Sequence, residues 1–183
     1  MCHHERYQFA AAFRLGVYEK DLRTACLRMK FPGSEPLSRV MADLLWEFEA
    51  PSLQAAGIDL VVPVPRHWIQ QWRGGRDAQK VLAEVWGGRL NVPVETSILR
   101  KVRWTARQAS LLPHAKRTNL RGAFAVPHGI DLSGATILLA DDIMTSGATA
   151  NEASKALKKA GARQVLAAVI GRGLGPNHSS PTK

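Results

Sequence analysis

Cysteine is almost absent from this chain: Cys2 and Cys26 are the only two among 183 residues. So wide a separation gives no disulfide framework and no metal-ligand pair, which fits a reducing compartment. Cys2-His3-His4 crowds three groups that cannot easily reach one tetrahedral ion, and no zinc is expected in this chain. Long apolar runs are missing as well, since none approaches the roughly 20 residues that span a bilayer. Phe9-Ala10-Ala11-Ala12-Phe13 stops at Arg14 without a signal-peptide core or cleavage site, so a cytoplasmic protein with no membrane partner is expected. There is no G-x-x-x-x-G-K-[ST] loop. Gly171-Arg172-Gly173-Leu174-Gly175 follows a strand pattern, but no helix pattern follows it, which argues against a dinucleotide site. Acidic residues are outnumbered, with 15 Asp+Glu against 25 Lys+Arg and a net charge of +10. That balance favours polyanions without choosing among a pyrophosphorylated sugar, nucleic acid and an anionic surface.

What is present is organised around Ile137-Leu138-Leu139-Ala140-Asp141-Asp142-Ile143-Met144-Thr145-Ser146-Gly147-Ala148-Thr149. An apolar run, two carboxylates, a Thr/Ser/Gly turn and a helix pattern read as buried strand, acidic strand end, anion-cradling loop and helix N-terminus. Backbone N–H groups of the turn and the positive helix end suit a phosphate, and Thr145, Ser146 and Thr149 add hydroxyl donors. The two acids would repel that phosphate, so they are expected to face sugar hydroxyls, Mg²⁺ or both. Phosphate on one side and a diol on the other describe a ribose 5-phosphate.

The remaining pattern is α/β. Phe13, Leu15 and Val17 alternate as a half-exposed strand, and Leu22, Ala25, Cys26 and Met29 form a helical stripe ended by Pro32-Gly33. Ser34 is a plausible N-cap for a helix whose Leu37, Val40, Met41, Leu44, Leu45 and Phe48 form a core stripe. Ile58 to Pro65 reads as a parallel strand, apolar on both faces, and Arg66 and His67 follow at its carboxyl end. A helix from Asp77 to Trp86 turns Ala78, Val81, Leu82, Val85 and Trp86 inward, and Gly87-Gly88 is expected to end it. Val92-Pro93-Val94 and Ile98-Leu99 suggest a poorer strand. Arg100 to Arg121 has many cations and little periodicity, as a mobile loop over an anion or a solvated connection would. After Thr149 a helix places Ala153, Ala156, Leu157 and Ala160 inward, with Glu152 in its first turn and Lys158-Lys159 in its last. Gln164 to Ile170 is a final buried strand. One domain is expected over 1–172, with a core over 57–172, and a disordered tail over 173–183.

Several of these segments resemble a known family. The run Leu138 to Thr149 closely resembles the phosphoribosyl pyrophosphate signature of type I phosphoribosyltransferases. Asp59-Leu60-Val61-Val62-Pro63-Val64-Pro65, the stretch Arg100 to Gln108, and Arg117 to Phe124 are similar to segments of the ComF family of competence-associated proteins. The resemblance implies a mostly parallel twisted sheet with helices on both faces and a small N-terminal hood over about 1–50. It implies that Asp141 and Asp142 contact the ribose hydroxyls and hold Mg²⁺ indirectly, through ribose or water. Thr145, Ser146, Gly147, Ala148 and Thr149 would bind the 5-phosphate. Arg66, Arg103, Arg107 and Gln108 become candidates for the diphosphate side and the lid. The family usually begins with a cysteine-rich zinc ribbon, of which Cys2 alone could be a remnant. Its R-G-F-N-Q segment reads Arg73-Gly74-Gly75-Arg76-Asp77 here, so no role is carried over for it.

Two functions follow. One is phosphoribosyl transfer from Mg-phosphoribosyl pyrophosphate, or binding of a ribose 5-phosphate nucleotide, with an acceptor that the sequence does not name. The other is a non-catalytic role in DNA uptake, with single-stranded DNA or uptake proteins as partners and Trp104 among the arginines as a stacking surface. A homodimer is compatible with either.

Overall fold

The computed structural model describes residues 7–65, 77–103 and 120–173. Its elements are β1 (Ala12–Val17), α1 (Lys20–Arg28), α2 (Glu35–Ala55), β2 (Leu60–Pro63), α3 (Ala78–Leu90), β3 (Arg100–Lys101), β4 (Phe124–Ala125), β5 (Thr136–Met144), α4 (Ala148–Lys159) and β6 (Gln164–Arg172). Four strands form one parallel sheet in the order β1-β6-β5-β2, and β3 pairs antiparallel with β4 beside it. Central β5 has to be apolar on both faces because helices cover both. Ile137 and Leu139 pack with Val165, Ala167, Leu60 and Val62 against α4, while Leu138 and Ala140 pack with Leu166, Ala168 and Val61 against α1, α2 and α3. Burying each large side chain in this way is worth about 1.5–3 kcal/mol. Polar residues therefore fall toward the ends of β5: the buried Thr136 at its start, where Arg163 donates to its hydroxyl, and the two acids near its carboxyl end.

The N-terminal segment enters the sheet directly, because Ala12 to Val17 pair with residues 167–172 of β6. In α1, Cys26 and Met29 are buried as their spacing predicts. The α2 stripe is rotated from the expected one: Ser38, Met41, Ala42, Leu45 and Leu53 are buried, while Val40 and Phe48 are 55% and 72% exposed. The small Ala42 lies where α2 meets α3, and there the fully buried Trp86 donates its indole N–H to the Ala42 carbonyl at 3.0 Å. Ser34 precedes α2 without capping it, since its hydroxyl bonds back to the Met29 and Phe31 carbonyls, both at 2.7 Å.

Gly87-Gly88 does not end α3, which runs on to Leu90 and stops at Asn91 in the left-handed conformation. Gly87 serves close packing instead, as a Cβ there would lie 2.3 Å from Val94 Cγ2. Residues 92–99 form no strand: Val94 makes a single parallel bridge to Val61, and regular pairing resumes only at β3. Glu152 lies beyond the first turn of α4 and is buried, accepting the Gly122 N–H at 3.2 Å and pairing with Lys155, so the helix dipole is not what holds it. Gly173, assigned above to the tail, is held by a 2.8 Å bond from its N–H to the Met144 carbonyl, and 174–183 lie outside the described residues.

Candidate functional site

Near the carboxyl end of β5 the apolar run gives way to Asp141 and Asp142. Consecutive strand residues point to opposite faces. Asp142 therefore falls on the side of α1 and α3, with 5% of its surface exposed, and Asp141 on the side of α4 and β3. Gln79, buried in the first turn of α3, spans the two and donates its amide N–H groups to Asp141 Oδ1 at 3.2 Å and Asp142 Oδ1 at 3.3 Å. The Asp142 N–H adds a 2.9 Å bond to Asp141 Oδ1. Lys30, just beyond α1, pairs with Asp142 Oδ2 at 3.2 Å.

Burial, and then the neighbouring Asp142 carboxylate, push the Asp141 carboxyl well above the ordinary range, against the lowering effect of its bonds from Gln79 and the Asp142 N–H. Lys101 of β3 is close enough to feel that charge. Burial lowers the Lys101 ammonium from its usual value, while Asp141 acts in the opposite sense. Its Nζ also lies 5.9 Å from the Phe124 ring centroid.

The turn after β5 depends on Gly147, which sits at φ 73° where a side chain is strained, and α4 begins at the next residue. The first i to i−4 helical bond there is from Asn151 N–H to the Gly147 carbonyl at 2.9 Å. The N–H groups in the first turn of any helix have no acceptor within it, which is the condition that lets a helix start receive an anion. Ala148 N–H reaches the Ser146 hydroxyl at a long 3.4 Å. Asp141 and residues 143–150 together line one cradle of about 20 Å³. One water needs roughly 10–15 Å³, so the cradle takes a single small group and not a base.

The structure thus brings Asp141, Thr145, Ser146, Gly147, Ala148 and Thr149 around one pocket and sets Asp142 beneath it, held by Gln79 and Lys30. Arg103 donates from its Nη2 to the Arg121 carbonyl at 2.8 Å. Arg66, Arg107 and Gln108 lie outside the described side chains and carry no structural assignment. The sequence reading gave no site role to Gln79 or Lys30, and Lys101 entered it only as one cation of the 100–121 stretch. One signal was available: Gln79 interrupts an otherwise apolar stripe with Leu82, Ala83 and Trp86. No group of three or more His, Cys, Asp or Glu side chains able to hold a metal occurs among the described residues. No helix among them is long and apolar enough to cross a membrane.

Comparison with known proteins bears on the family and the fold. Residues 78–176 match the phosphoribosyl transferase domain family. The chain is 28% identical over 155 residues to competence protein F of Haemophilus influenzae, covering 82% of this chain and 68% of that protein. It is 24% identical over 151 residues to the DNA utilization protein YhgH of Escherichia coli (strain K12), covering 81% of this chain and 66% of that one. These relatives support the resemblance to ComF proteins. Among solved structures, it aligns with a purine phosphoribosyltransferase from Pyrococcus horikoshii Ot3 at 14% identity and TM-score 0.42, over 78% of this chain and 90% of that one. TT1426 from Thermus thermophilus aligns at 16% identity and TM-score 0.44, over 78% of this chain and 86% of that one. A parallel sheet with helices on both faces, carrying the acid pair and the loop inside the matched stretch, is the type I phosphoribosyltransferase fold, and the chain belongs to the phosphoribosyl transferase domain family.

Proposed function

We propose that the protein binds Mg-phosphoribosyl pyrophosphate, or a nucleotide carrying ribose 5-phosphate, and transfers the phosphoribosyl group to an acceptor with release of diphosphate. The observation that carries this reading is the single cradle bounded by Asp141 and the loop of residues 143–150. Thr145 to Thr149 hold the 5-phosphate, and the acid pair accepts hydrogen bonds from the ribose hydroxyls, fixing the ring for reaction. The bond from the anomeric carbon to the diphosphate oxygen breaks, and its electron pair leaves with the diphosphate. A bond from the acceptor's nucleophilic atom to that carbon forms, and the acceptor's proton passes to solvent or to the leaving group. The carboxylates are hard oxygen donors of the kind that hold Mg²⁺ together with water and substrate oxygens, and Mg²⁺ when bound neutralises the leaving group. Arg66 is assigned to the diphosphate, with Arg103, Arg107 and Gln108 as the further candidates for that side of the site.

The test is Mg²⁺-dependent binding of phosphoribosyl pyrophosphate to the wild type and to Asp142→Asn, followed by a screen of nucleobases and amines for diphosphate release. Truncating one member of a desolvated charge pair costs about 2–5 kcal/mol, so a large loss of affinity is expected. Equal affinity in the two proteins, or none in either, refutes the assignment. Binding without diphosphate release from any acceptor makes the protein a sensor instead of an enzyme.

A second reading is favoured by the net charge of +10 and by relatives named for competence and DNA utilization. In it the site holds a nucleotide or single strand without turnover, in a cytoplasmic protein of the uptake machinery. Steeply salt-dependent affinity for single-stranded DNA supports it, and no binding at low salt removes it.

A further inference from the structure

Two carbonyls of the loop are taken up from outside the cradle by side chains that do not line it. The Tyr7 hydroxyl donates to the Ser146 carbonyl at 3.0 Å. Arg172 donates through Nη1 to the Thr145 carbonyl at 2.6 Å and to the Met144 carbonyl at 3.3 Å. A trans peptide is planar, so its C=O and N–H point in opposite directions. Holding the Ser146 carbonyl toward Tyr7 turns the Gly147 N–H the other way, and holding the Thr145 carbonyl toward Arg172 does the same to the Ser146 N–H.

The surroundings make these bonds rigid. Tyr7 stacks on Phe9 with ring centroids 4.9 Å apart, and both rings lie against Gly147, where a Cβ would meet Tyr7 Cε1 at 3.2 Å and Phe9 Cζ at 3.5 Å. The strap that carries them is tied down on either side of Phe9, by Gln8 N–H to Asn151 Oδ1 at 2.8 Å and by Ala10 N–H to the Val165 carbonyl at 2.8 Å. On the other flank Gly173 packs against Thr145, with a Cβ there only 3.1 Å from Thr145 Cγ2.

We propose that Tyr7 and Arg172 are positioning residues of the cradle, fixing the two loop peptides so that the Gly147 and Ser146 N–H groups face the phosphate before it arrives. This rests on the reading of the loop as a phosphate site. It gives the N-terminal strap a part in ligand binding, and the advantage is preorganisation, since no peptide has to flip when the anion binds.

The experiment titrates ribose 5-phosphate and, separately, inorganic phosphate and phosphoribosyl pyrophosphate into ¹⁵N-labelled wild type, Tyr7→Phe, Tyr7→Leu and Arg172→Met. Tyr7→Phe keeps the ring over Gly147 and removes one hydrogen bond, so ribose 5-phosphate and inorganic phosphate should bind roughly five- to tenfold more weakly while the protein stays folded, its melting temperature lowered by at most roughly 2–6 °C. The ligand-induced shift of the Gly147 amide should shrink while that of Ser146 persists, and Arg172→Met should show the reverse pattern. If Tyr7→Phe matches wild type and only Tyr7→Leu weakens, Tyr7 acts through ring packing and the proposal fails. It also fails if either variant dulls both amides equally. Wild type that binds inorganic phosphate with this pattern but not phosphoribosyl pyrophosphate sinks the functional reading and keeps the positioning role. Wild type that binds no phosphate-bearing probe sinks both.

Discussion

Replacing Asp141 by Asn should make the protein more stable while destroying its site. The carboxyl is pushed up first by burial and then by the Asp142 charge. Between the ordinary carboxylate value of about 3.9 and the raised folded value, the native state binds more protons than the unfolded chain. Wild-type stability therefore falls as pH rises through that window, and above it the ionised Asp141 imposes a constant penalty. Asn carries no such penalty. Its Oδ1 can still accept the bonds from Gln79 at 3.2 Å and from the Asp142 N–H at 2.9 Å, so little hydrogen bonding is lost. What does go is the attraction to Lys101, itself weakened by that lysine's burial. Relieving strain of this kind at a functional position commonly gains about 0.5–2 kcal/mol. For a domain of this size each kcal/mol moves the midpoint by roughly 2–4 °C. Denaturant and thermal unfolding of both proteins from pH 4 to 8 should show an advantage for Asp141→Asn that is smallest at the acid end and grows to a plateau. Mg²⁺-dependent binding of phosphoribosyl pyrophosphate should be lost over the same range. A variant less stable than wild type at pH 7, or an offset that ignores pH, refutes the like-charge account of the acid pair.

Gly147→Ala should cost about 1–3 kcal/mol in denaturant unfolding, because φ is 73° and the new Cβ meets Tyr7 at 3.2 Å, and ribose 5-phosphate binding should fall with it. Unchanged stability together with unchanged binding would refute that account of the turn. The two glycines of α3 should behave oppositely. Gly87→Ala puts a Cβ 2.3 Å from Val94 and should destabilise by about 1–3 kcal/mol, whereas Gly88→Ala meets nothing within 4 Å and should stabilise by about 0.4–1 kcal/mol. Burial, then the Asp142 charge, push the Cys26 thiol up to about 11. A thiol reagent at pH 8 should therefore leave it unmodified in the folded protein and label it on unfolding. As the folded thiol is raised, its linkage lowers stability as pH climbs from the ordinary thiol range toward 11.

The strand, turn and helix around Asp141 and Asp142 are legible in the sequence because their signals are local. An apolar run bounded by a Thr/Ser/Gly turn leaves few alternatives, and the central place of β5 follows from its being apolar on both faces. The α2 stripe is misjudged when hydrophobicity is the guide to burial, because the packed face takes in the small Ser38 and Ala42 and leaves Phe48 outside. Gly87-Gly88 misleads because a helix stop and a close packing contact leave the same mark in a sequence. The partners of the site are hidden for a different reason. Gln79 lies 62 and 63 residues from the acids it holds, and Tyr7 lies 139 residues from the carbonyl it binds. No periodicity or turn chemistry encodes contacts that exist only once the sheet is assembled.

The same geometry shows why an adjacent acid pair need not act as one ligand. Strand alternation sends the two carboxylates to opposite faces, and a different lysine answers each. Lys30 pairs directly with the buried Asp142, while Lys101, on β3, acts on Asp141 through its charge. Asp141 takes the bonds from Gln79 and the Asp142 N–H on Oδ1 and borders the cradle itself. Asp142, occupied by Gln79 and Lys30, supplies the negative charge that keeps its neighbour high and couples the site to the N-terminal helix. A ligand that brings positive charge to Asp141 relieves the repulsion between the acids. Binding and the cost of ionising the pair are therefore linked, and a ligand that presents a bound cation such as Mg²⁺ to Asp141 should gain more from this site than a bare phosphate does.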